Sequence, residues 1–309
     1  MSIQFPPALC PGQRVALVSP ARKISAAELA PAIETLRSWG LEVILGDSIA
    51  GDHHQFAGDD ELRRRDLQQQ LDDPSIRAIL CTRGGYGTAR IVDALDFSRF
   101  ITHPKWLAGF SDVTVLNAHL LALNHASIHG VMPVLFHQPG GAVALESLRR
   151  TLFGEAALPL AVPPHPLNRP GTATGELVGG NLSLLHTITG TASQVSFKGR
   201  LLFLEDLDEY LYHIDRIMLH LHRSRQLVGL AGLVVGHFSQ MRDNTVPFGA
   251  TALEIIDSYA QRYDFPVGYG FPVGHEADNR ALVVGQMARL TIDPTGARLT
   301  LAWPSYWSV

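Results

Sequence analysis

The chain has 309 residues, of which 46% are hydrophobic and 17% are charged, and its formal net charge is −4 at pH 7. This length suits two domains of ordinary size, and the composition excludes extensive disorder. The densest basic cluster, residues 63–65, is flanked by Glu61 and Asp66. The sequence therefore gives no support to nucleic-acid binding through phosphate neutralisation.

The cysteines and the apolar segments favour a reducing, aqueous compartment. Cys10 and Cys81 are too few for a disulfide framework and lack metal-ligand spacing. The N-terminus has no signal-peptide pattern, and no stretch reaches the roughly 18 apolar residues that span a bilayer. We expect a cytoplasmic protein with neither a membrane nor a nucleic acid as its partner.

Strands and helices are predicted to alternate in the first half of the chain. Apolar runs typical of buried strands cover residues 14–18, 41–45, 76–81 and 106–109, with helical patterns at 26–39, at 62–71 and after 109. Such alternation is typical of parallel βαβ units. It predicts a Rossmann-like α/β domain with a parallel sheet over residues 1–155.

The composition changes after this first domain. Residues 156–174 are rich in Pro, Gly and small side chains and predict a linker. Beyond it, strands are expected at 200–204, 230–236 and 288–292, a helix at 212–227 and a hairpin turn at 293–296. We expect a smaller α+β domain over residues 175–309.

Ser111 is a candidate nucleophile. The segment GFSDVT joins a predicted strand to a predicted helix, where a serine hydroxyl is exposed beside the free N–H groups of the helix. Gly109 matches the first glycine of a G-x-S-x-G elbow, but Val113 stands where the second would be. From this pattern alone, a simple helix cap by Ser111 or Asp112 is the commoner explanation.

The glycine-rich turn TRGGYG, residues 82–87, follows a predicted strand. Its spacing does not match the known phosphate-binding motifs. One interpretation is that the turn supplies an oxyanion donor, with the guanidinium of Arg83 binding a carboxylate. A purely structural tight turn explains the glycines as well.

Two further residues could complete a catalytic site. Glu205 ends an apolar run and His275 follows a glycine-bounded segment, although most single acids and histidines are not catalytic. The chain order Ser, Glu, His is one of those found in triads on α/β sheets. A metal site is disfavoured because no H-E-x-x-H occurs, and His220 and His222 fall on nearly opposite faces of a predicted helix.

Six segments together resemble the LD-carboxypeptidases, the muramoyltetrapeptide carboxypeptidases of peptidoglycan recycling. In chain order they are the strand ending in Ser19-Pro20-Ala21, TRGGYGTAR, GFSDVT, GGNLSLL, LFLEDLDE and PVGHEADNRALVVG. They span nearly the whole chain in the order of the family. Each is weakly specific, but six in this order are a strong signal.

The resemblance implies a serine carboxypeptidase that removes the terminal D-alanine of murein tetrapeptide by cutting an L,D-amide bond. Ser111 would be the nucleophile, His275 the base and Glu205 the residue that orients the base. Backbone N–H groups of Gly85 and Asp112 would bind the oxyanion. The residues expected to contact the substrate are Arg83, Gly84, Tyr86 and Asn181. No metal or cofactor is expected, and the resemblance implies a homodimer.

Two other functions remain as alternatives. Relatives in the same superfamily hydrolyse microcin C-type aminoacyl-nucleotide analogues, with a longer segment after the catalytic carboxylate. Here LEDLDEYLYHIDRIMLHLH runs straight into a predicted helix, which favours the carboxypeptidase. A non-catalytic module that binds an anionic ligand at the TRGGYG turn is the third hypothesis.

Overall fold

The computed structural model describes residues 2–157 and 159–302. The α-helices are α1 (Ala26–Ser38), α2 (Asp60–Asp72), α3 (Ser98–Thr102), α4 (Thr114–Ala122), α5 (Ala142–Leu152), α6 (Leu182–Thr187), α7 (Leu211–Arg223) and α8 (Ala252–Ala260). The strands are β1 (Arg14–Val18), β2 (Glu42–Leu45), β3 (Ile76–Cys81), β4 (Trp106–Ala108), β5 (Ser127–His129), β6 (Leu160–Val162), β7 (Gly171–Asn181), β8 (Leu201–Leu207), β9 (Gly232–Ser239), β10 (Val267–Tyr269), β11 (Leu282–Val284), β12 (Met287–Asp293) and β13 (Gly296–Leu301).

The first sheet has the strand order β11-β5-β4-β3-β1-β2. Strands β1 to β5 pair in parallel. Because helices cover both faces of such a sheet, its strands are continuous apolar runs: β4 is buried throughout, and β1 and β3 are nearly so. The predicted Rossmann-like parallel sheet is confirmed.

The second sheet has the order β10-β9-β8-β7-β12-β13-β6. Strands β7 to β10 are parallel, whereas β12, β13 and β6 add antiparallel pairs. The β12–β13 hairpin turns between Asp293 and Gly296, where the sequence predicts it. Residues 156–174, predicted as a linker, include β6 and the first residues of β7. The short apolar run of β6 forms a strand because β13 offers it an unpaired edge.

One strand crosses between the two lobes. Strand β11 follows the His275 segment along the chain, yet it pairs antiparallel with β5 at the edge of the first sheet, with Leu282 opposite His129. The segment that precedes β11 is consequently held between the two sheets. Ligands of parallel α/β sheets bind at the carboxyl ends of the strands, and this is the edge where the lobes meet.

A buried hydrogen bond joins the lobes beside α4. The backbone N–H of Asn181 donates to Oγ1 of Thr114 over 3.1 Å. Gly180 (φ +138°) lies against the same side chain, since a Cβ there would be 2.6 Å from Oγ1. We call this contact of Thr114 with Gly180 and Asn181 the lobe seam.

Replacing Thr114 with Val keeps the shape of the side chain but leaves the buried N–H of Asn181 without its acceptor. We expect the free energy of unfolding to fall by about 1–3 kcal/mol, measured by urea denaturation. Thr151→Val is the control, because Thr151 is also buried and its hydroxyl donates only to the carbonyl of Ser147 within α5. Equal losses in both variants would mean that the lobe seam contributes nothing specific.

Candidate active site

Ser111 has the strained geometry of a nucleophile elbow. It follows β4, opens a short 3₁₀ turn that leads into α4, and has φ +60°, a region that non-glycine residues seldom occupy. Gly109 permits the sharp turn, because a Cβ there would be 2.9 Å from both methyl carbons of Val113. Neither Ser111 nor Asp112 caps the helix, since the N-cap residues are Phe110 for the 3₁₀ turn and Val113 for α4. The helix-cap interpretation is therefore wrong.

The glycine turn lies directly against Ser111. A Cβ at Gly84 would be 3.1 Å from Cβ and 3.3 Å from Oγ of Ser111. The buried carboxylate of Asp112 accepts the backbone N–H of Thr88 over 2.8 Å, so the elbow and the turn hold each other in place. Burial raises the pKa of Asp112 above its ordinary value.

Two backbone donors are free at this point. In the part of the chain that the structure describes, the N–H groups of Gly85 and Asp112 donate to no backbone carbonyl. Gly85 adopts φ +107°, a conformation that glycine takes without strain. Free N–H groups beside a nucleophile are what an oxyanion site needs, and the assignment of these two donors stays a prediction.

Glu205 and His275 form a buried hydrogen-bonded pair. Nδ1 of His275 lies 2.7 Å from Oε2 of Glu205; the glutamate side chain is fully buried and the histidine side chain is 14% exposed. Gly274 (φ +126°) makes the approach possible, because a Cβ there would be 3.0 Å from Cβ and 3.1 Å from Oε2 of Glu205. Burial by itself would lower the pKa of His275, but the charge and hydrogen bond of Glu205 outweigh it and raise that pKa.

The pair lies beside the elbow. The ring of Phe110, the neighbour of Ser111, is 4.8 Å from the imidazole of His275 between centroids. Oγ of Ser111 makes no hydrogen bond to any residue within 2–157 or 159–302. In serine enzymes without substrate, the hydrogen bond between the serine hydroxyl and the catalytic histidine is often long, and it commonly tightens only when substrate binds. The Glu205–His275 contact is thus formed beside the residue that precedes Ser111, and the triad of the three residues stays a prediction.

A second buried histidine, His129, was not singled out by the sequence patterns. It ends β5, is fully buried, and packs edge-on against Phe203 at 5.0 Å and Phe110 at 5.7 Å. Burial lowers its pKa to about 4, so the ring is neutral at neutral pH. A charged ring there would compete with His275 for the negative charge of Glu205. The sequence feature that could have identified His129 was its position at the carboxyl end of a parallel strand.

Asn181 has partners other than the predicted substrate. Its Nδ2 donates to Asp206 over 2.8 Å, and its Oδ1 accepts the N–H of Leu184 and so caps α6. Asp206 also accepts from Ser183 and Leu207. Burial, with the nearby charge of Glu205, raises the pKa of Asp206 to about 6. Both ends of the Asn181 amide are engaged in holding the ends of β7 and β8.

Tyr86 and Arg83, which were also predicted to contact the substrate, differ in whether their side chains are free to bind a ligand. Tyr86 is 46% exposed, with its ring 6.1 Å from that of Phe56. Arg83 forms an ion pair with Glu28 at 3.2 Å. The turn therefore presents an accessible aromatic ring, whereas the guanidinium of Arg83 already has a carboxylate partner.

The histidines considered as metal ligands point to other partners. The ring of His220 lies 4.7 Å from that of His186, and Nδ1 of His222 is 2.8 Å from the hydroxyl of Tyr263. Across the described ranges, no group of three or more His, Cys, Asp or Glu side chains is arranged to hold a metal ion.

Gly274→Ala should separate Glu205 from His275, because the added Cβ would meet the carboxylate directly. We expect the pKa of His275 to fall, since burial then acts without its counter-charge; NMR titration of the imidazole measures this. Gly270→Ala is the control, because Gly270 also has positive φ (+81°) but open space where its Cβ would lie. A similar pKa change in both variants would show that backbone strain, not the steric contact, is the cause.

The chain matches two family models that follow one another along the sequence. Residues 15–130 match the LD-carboxypeptidase N-terminal domain and residues 174–290 match the LD-carboxypeptidase C-terminal domain. A probable murein peptide carboxypeptidase of Bacillus subtilis (strain 168) is 34% identical over 301 residues, covering 92% of this chain and 91% of the relative.

Solved structures share the whole architecture. The muramoyltetrapeptide carboxypeptidase of Oxalobacter formigenes superposes with a TM-score of 0.83 at 28% identity, covering 95% of this chain and all of the other. The microcin C7 self-immunity protein, in complex with aspartyl sulfamoyl adenosine, has a TM-score of 0.85 at 20% identity, with coverage of 98% and 100%; this second likeness shows the fold alone. From the two family models and the Bacillus relative, the chain belongs to the LD-carboxypeptidase family.

Proposed function

We propose that this protein is a serine-type LD-carboxypeptidase that releases the terminal D-alanine of a murein tetrapeptide, with Ser111, His275 and Glu205 as its triad. The observation that carries the proposal is the buried 2.7 Å contact of Glu205 with His275 beside the strained elbow of Ser111. The names of the Bacillus and Oxalobacter relatives support the murein peptide as substrate.

In the first half-reaction, Nε2 of His275 takes the hydroxyl proton of Ser111 while Oγ attacks the scissile carbonyl carbon. The negative charge that develops on the carbonyl oxygen is held by the N–H groups of Gly85 and Asp112. One such donor contributes about 10²–10³ in rate in enzymes where it has been removed. Collapse of the intermediate breaks the amide bond, and D-alanine leaves with the proton from His275.

In the second half-reaction, His275 takes a proton from water, which attacks the acyl ester on Ser111 and regenerates the serine. Glu205 acts through His275 in both halves. Its buried carboxylate accepts the Nδ1 proton, which leaves Nε2 as the base, and its charge stabilises the imidazolium that forms each time.

Hydrolysis of an aminoacyl-nucleotide analogue is the nearest alternative. It is supported only by the shared fold with the microcin self-immunity protein. After Glu205 the chain leaves β8 at Leu207 and enters α7 at Leu211, so no long insertion follows the carboxylate.

Location and assembly stay predictions. None of the helices within residues 2–157 and 159–302 combines the length and apolar character needed to cross a bilayer. The cytoplasmic location and the homodimer expected from the sequence are parts of this proposal.

Ser111→Ala should reduce D-alanine release from murein tetrapeptide by about 10⁴-fold or more, because the attacking atom is lost. Release is measured by chromatography of the products, and tetrapeptide binding by calorimetry. Ser38→Ala, on an exposed turn of α1, is the control. Turnover of aminoacyl sulfamoyl nucleotides without D-alanine release supports the alternative enzyme. Unchanged behaviour of the Ser111 variant rules out serine catalysis.

The pH profile should report the Glu205–His275 pair. A neutral imidazole is the active base, so kcat/KM should fall as the pH drops through the pKa of His275, which Glu205 raises above its ordinary value. Glu205→Gln removes the counter-charge. We expect the acid limb to move to lower pH and kcat to fall by about 10⁴-fold, as for the loss of charge in a serine protease triad. An acid limb that does not move would contradict the assignment of Glu205.

A further inference from the structure

Two arginines border the glycine turn beside the nucleophile. Arg83 belongs to the turn itself. Arg22 lies on the loop that follows β1, and its backbone N–H donates to the carbonyl of Gly84 over 3.4 Å. An enzyme that removes one terminal residue must recognise the carboxylate next to the bond it cuts, and a guanidinium is well suited to that group.

Arg83 already has an ion-pair partner. Its Nη1 lies 3.2 Å from Oε1 of Glu28. The other oxygen of Glu28 accepts the N–H and the hydroxyl of Ser25 in a capping box that starts α1. The ion pair is thus tied to a helix terminus, and freeing Arg83 for a ligand would leave Glu28 without its cation.

Arg22 is exposed and unpaired. Within the described residues its guanidinium forms no ion pair and no hydrogen bond. Its aliphatic stem covers Gly85, because a Cβ on that glycine would be 2.0 Å from Cδ and 2.5 Å from Cγ of Arg22. Gly84, the preceding residue, touches Ser111. The stem of Arg22 therefore lies against the residue next to the one that contacts Ser111.

The backbone that carries Arg22 is held on both sides. Arg22 forms an antiparallel bridge with Phe56, and Lys23 and Ala57 add hydrogen bonds of 3.0 and 3.1 Å across the same two segments. The neighbouring cation, Lys23, is paired with Asp52 at 2.7 Å. Of the cations on this loop and turn, Arg22 is the one whose charge is available.

We propose that the guanidinium of Arg22 binds the free carboxylate of the terminal residue that the enzyme releases; this rests on the proposed carboxypeptidase function. The turn then serves both sides of the scissile bond. The N–H of Gly85 faces the scissile carbonyl oxygen, and the absence of a side chain on Gly85 gives the stem of Arg22 its place. Arg83, predicted from sequence as the carboxylate ligand, has a structural role instead.

The test compares Arg22→Gln with Arg83→Gln on two substrates, the tetrapeptide and the same peptide with its terminal carboxylate converted to an amide. For the acid, Arg22→Gln should lower kcat/KM by about 10- to 100-fold, because a charge-assisted bidentate contact is lost. For the amide, which has no carboxylate to bind, the same variant should match the wild type. Arg83→Gln should keep the wild-type preference for the acid over the amide.

The two ideas fail in different ways. If the wild-type protein releases no D-alanine from the tetrapeptide, the proposed function is wrong and the role of Arg22 falls with it. If the wild type is active and Arg22→Gln keeps its preference for the acid, the inference about Arg22 alone is overturned. A loss of that preference in Arg83→Gln would return the role to Arg83. Circular dichroism and thermal unfolding confirm that each variant is folded.

Discussion

A carboxylate with no exposure to solvent imposes the main constraint on this site. Glu205 lies in β8 inside the second sheet, and an ionised group buried there is costly unless it is paired. The pairing group, His275, reaches it only because Gly274 has no side chain and because the chain then crosses to the first sheet as β11. The hydrogen bond to Oε2 of Glu205 also sets the orientation of the His275 imidazole, while Oε1 is buried without a hydrogen-bond partner among the described residues.

Two separate connections join the lobes and hold the Glu205–His275 pair beside Ser111. Strand β11 pairs with β5, and the Asn181 N–H bonds Thr114 at the lobe seam, immediately after the elbow. Catalytic groups work when they are held to within a fraction of an ångström. In the proposed triad the nucleophile follows a strand of the first sheet and the base lies beside the second, and the pairing of β11 with β5 ties the His275 segment to the first sheet.

Of His129 and His275, only His275 has a pKa raised above its ordinary value. His129 and His275 both lie close to the carboxylate, and burial keeps His129 neutral while Glu205 raises the pKa of His275. The two arginines at the glycine turn also differ in whether their charge is paired. Arg83 is paired with Glu28, whereas the guanidinium of Arg22 has no ion-pair partner among the described residues.

The sequence by itself determined the alternation of strands and helices that makes a parallel sheet, and six motifs in order, rather than any one of them, identified Ser111, Glu205 and His275 as candidates. Apolar runs, turn residues and motif order carry this information locally. The tertiary structure decided what depends on contacts between distant residues, and here the sequence predictions were incomplete: β11 joins the first sheet, Asn181 binds Asp206, and Arg83 pairs with Glu28. A side chain's partner is set by what folding brings within reach, which no local pattern encodes.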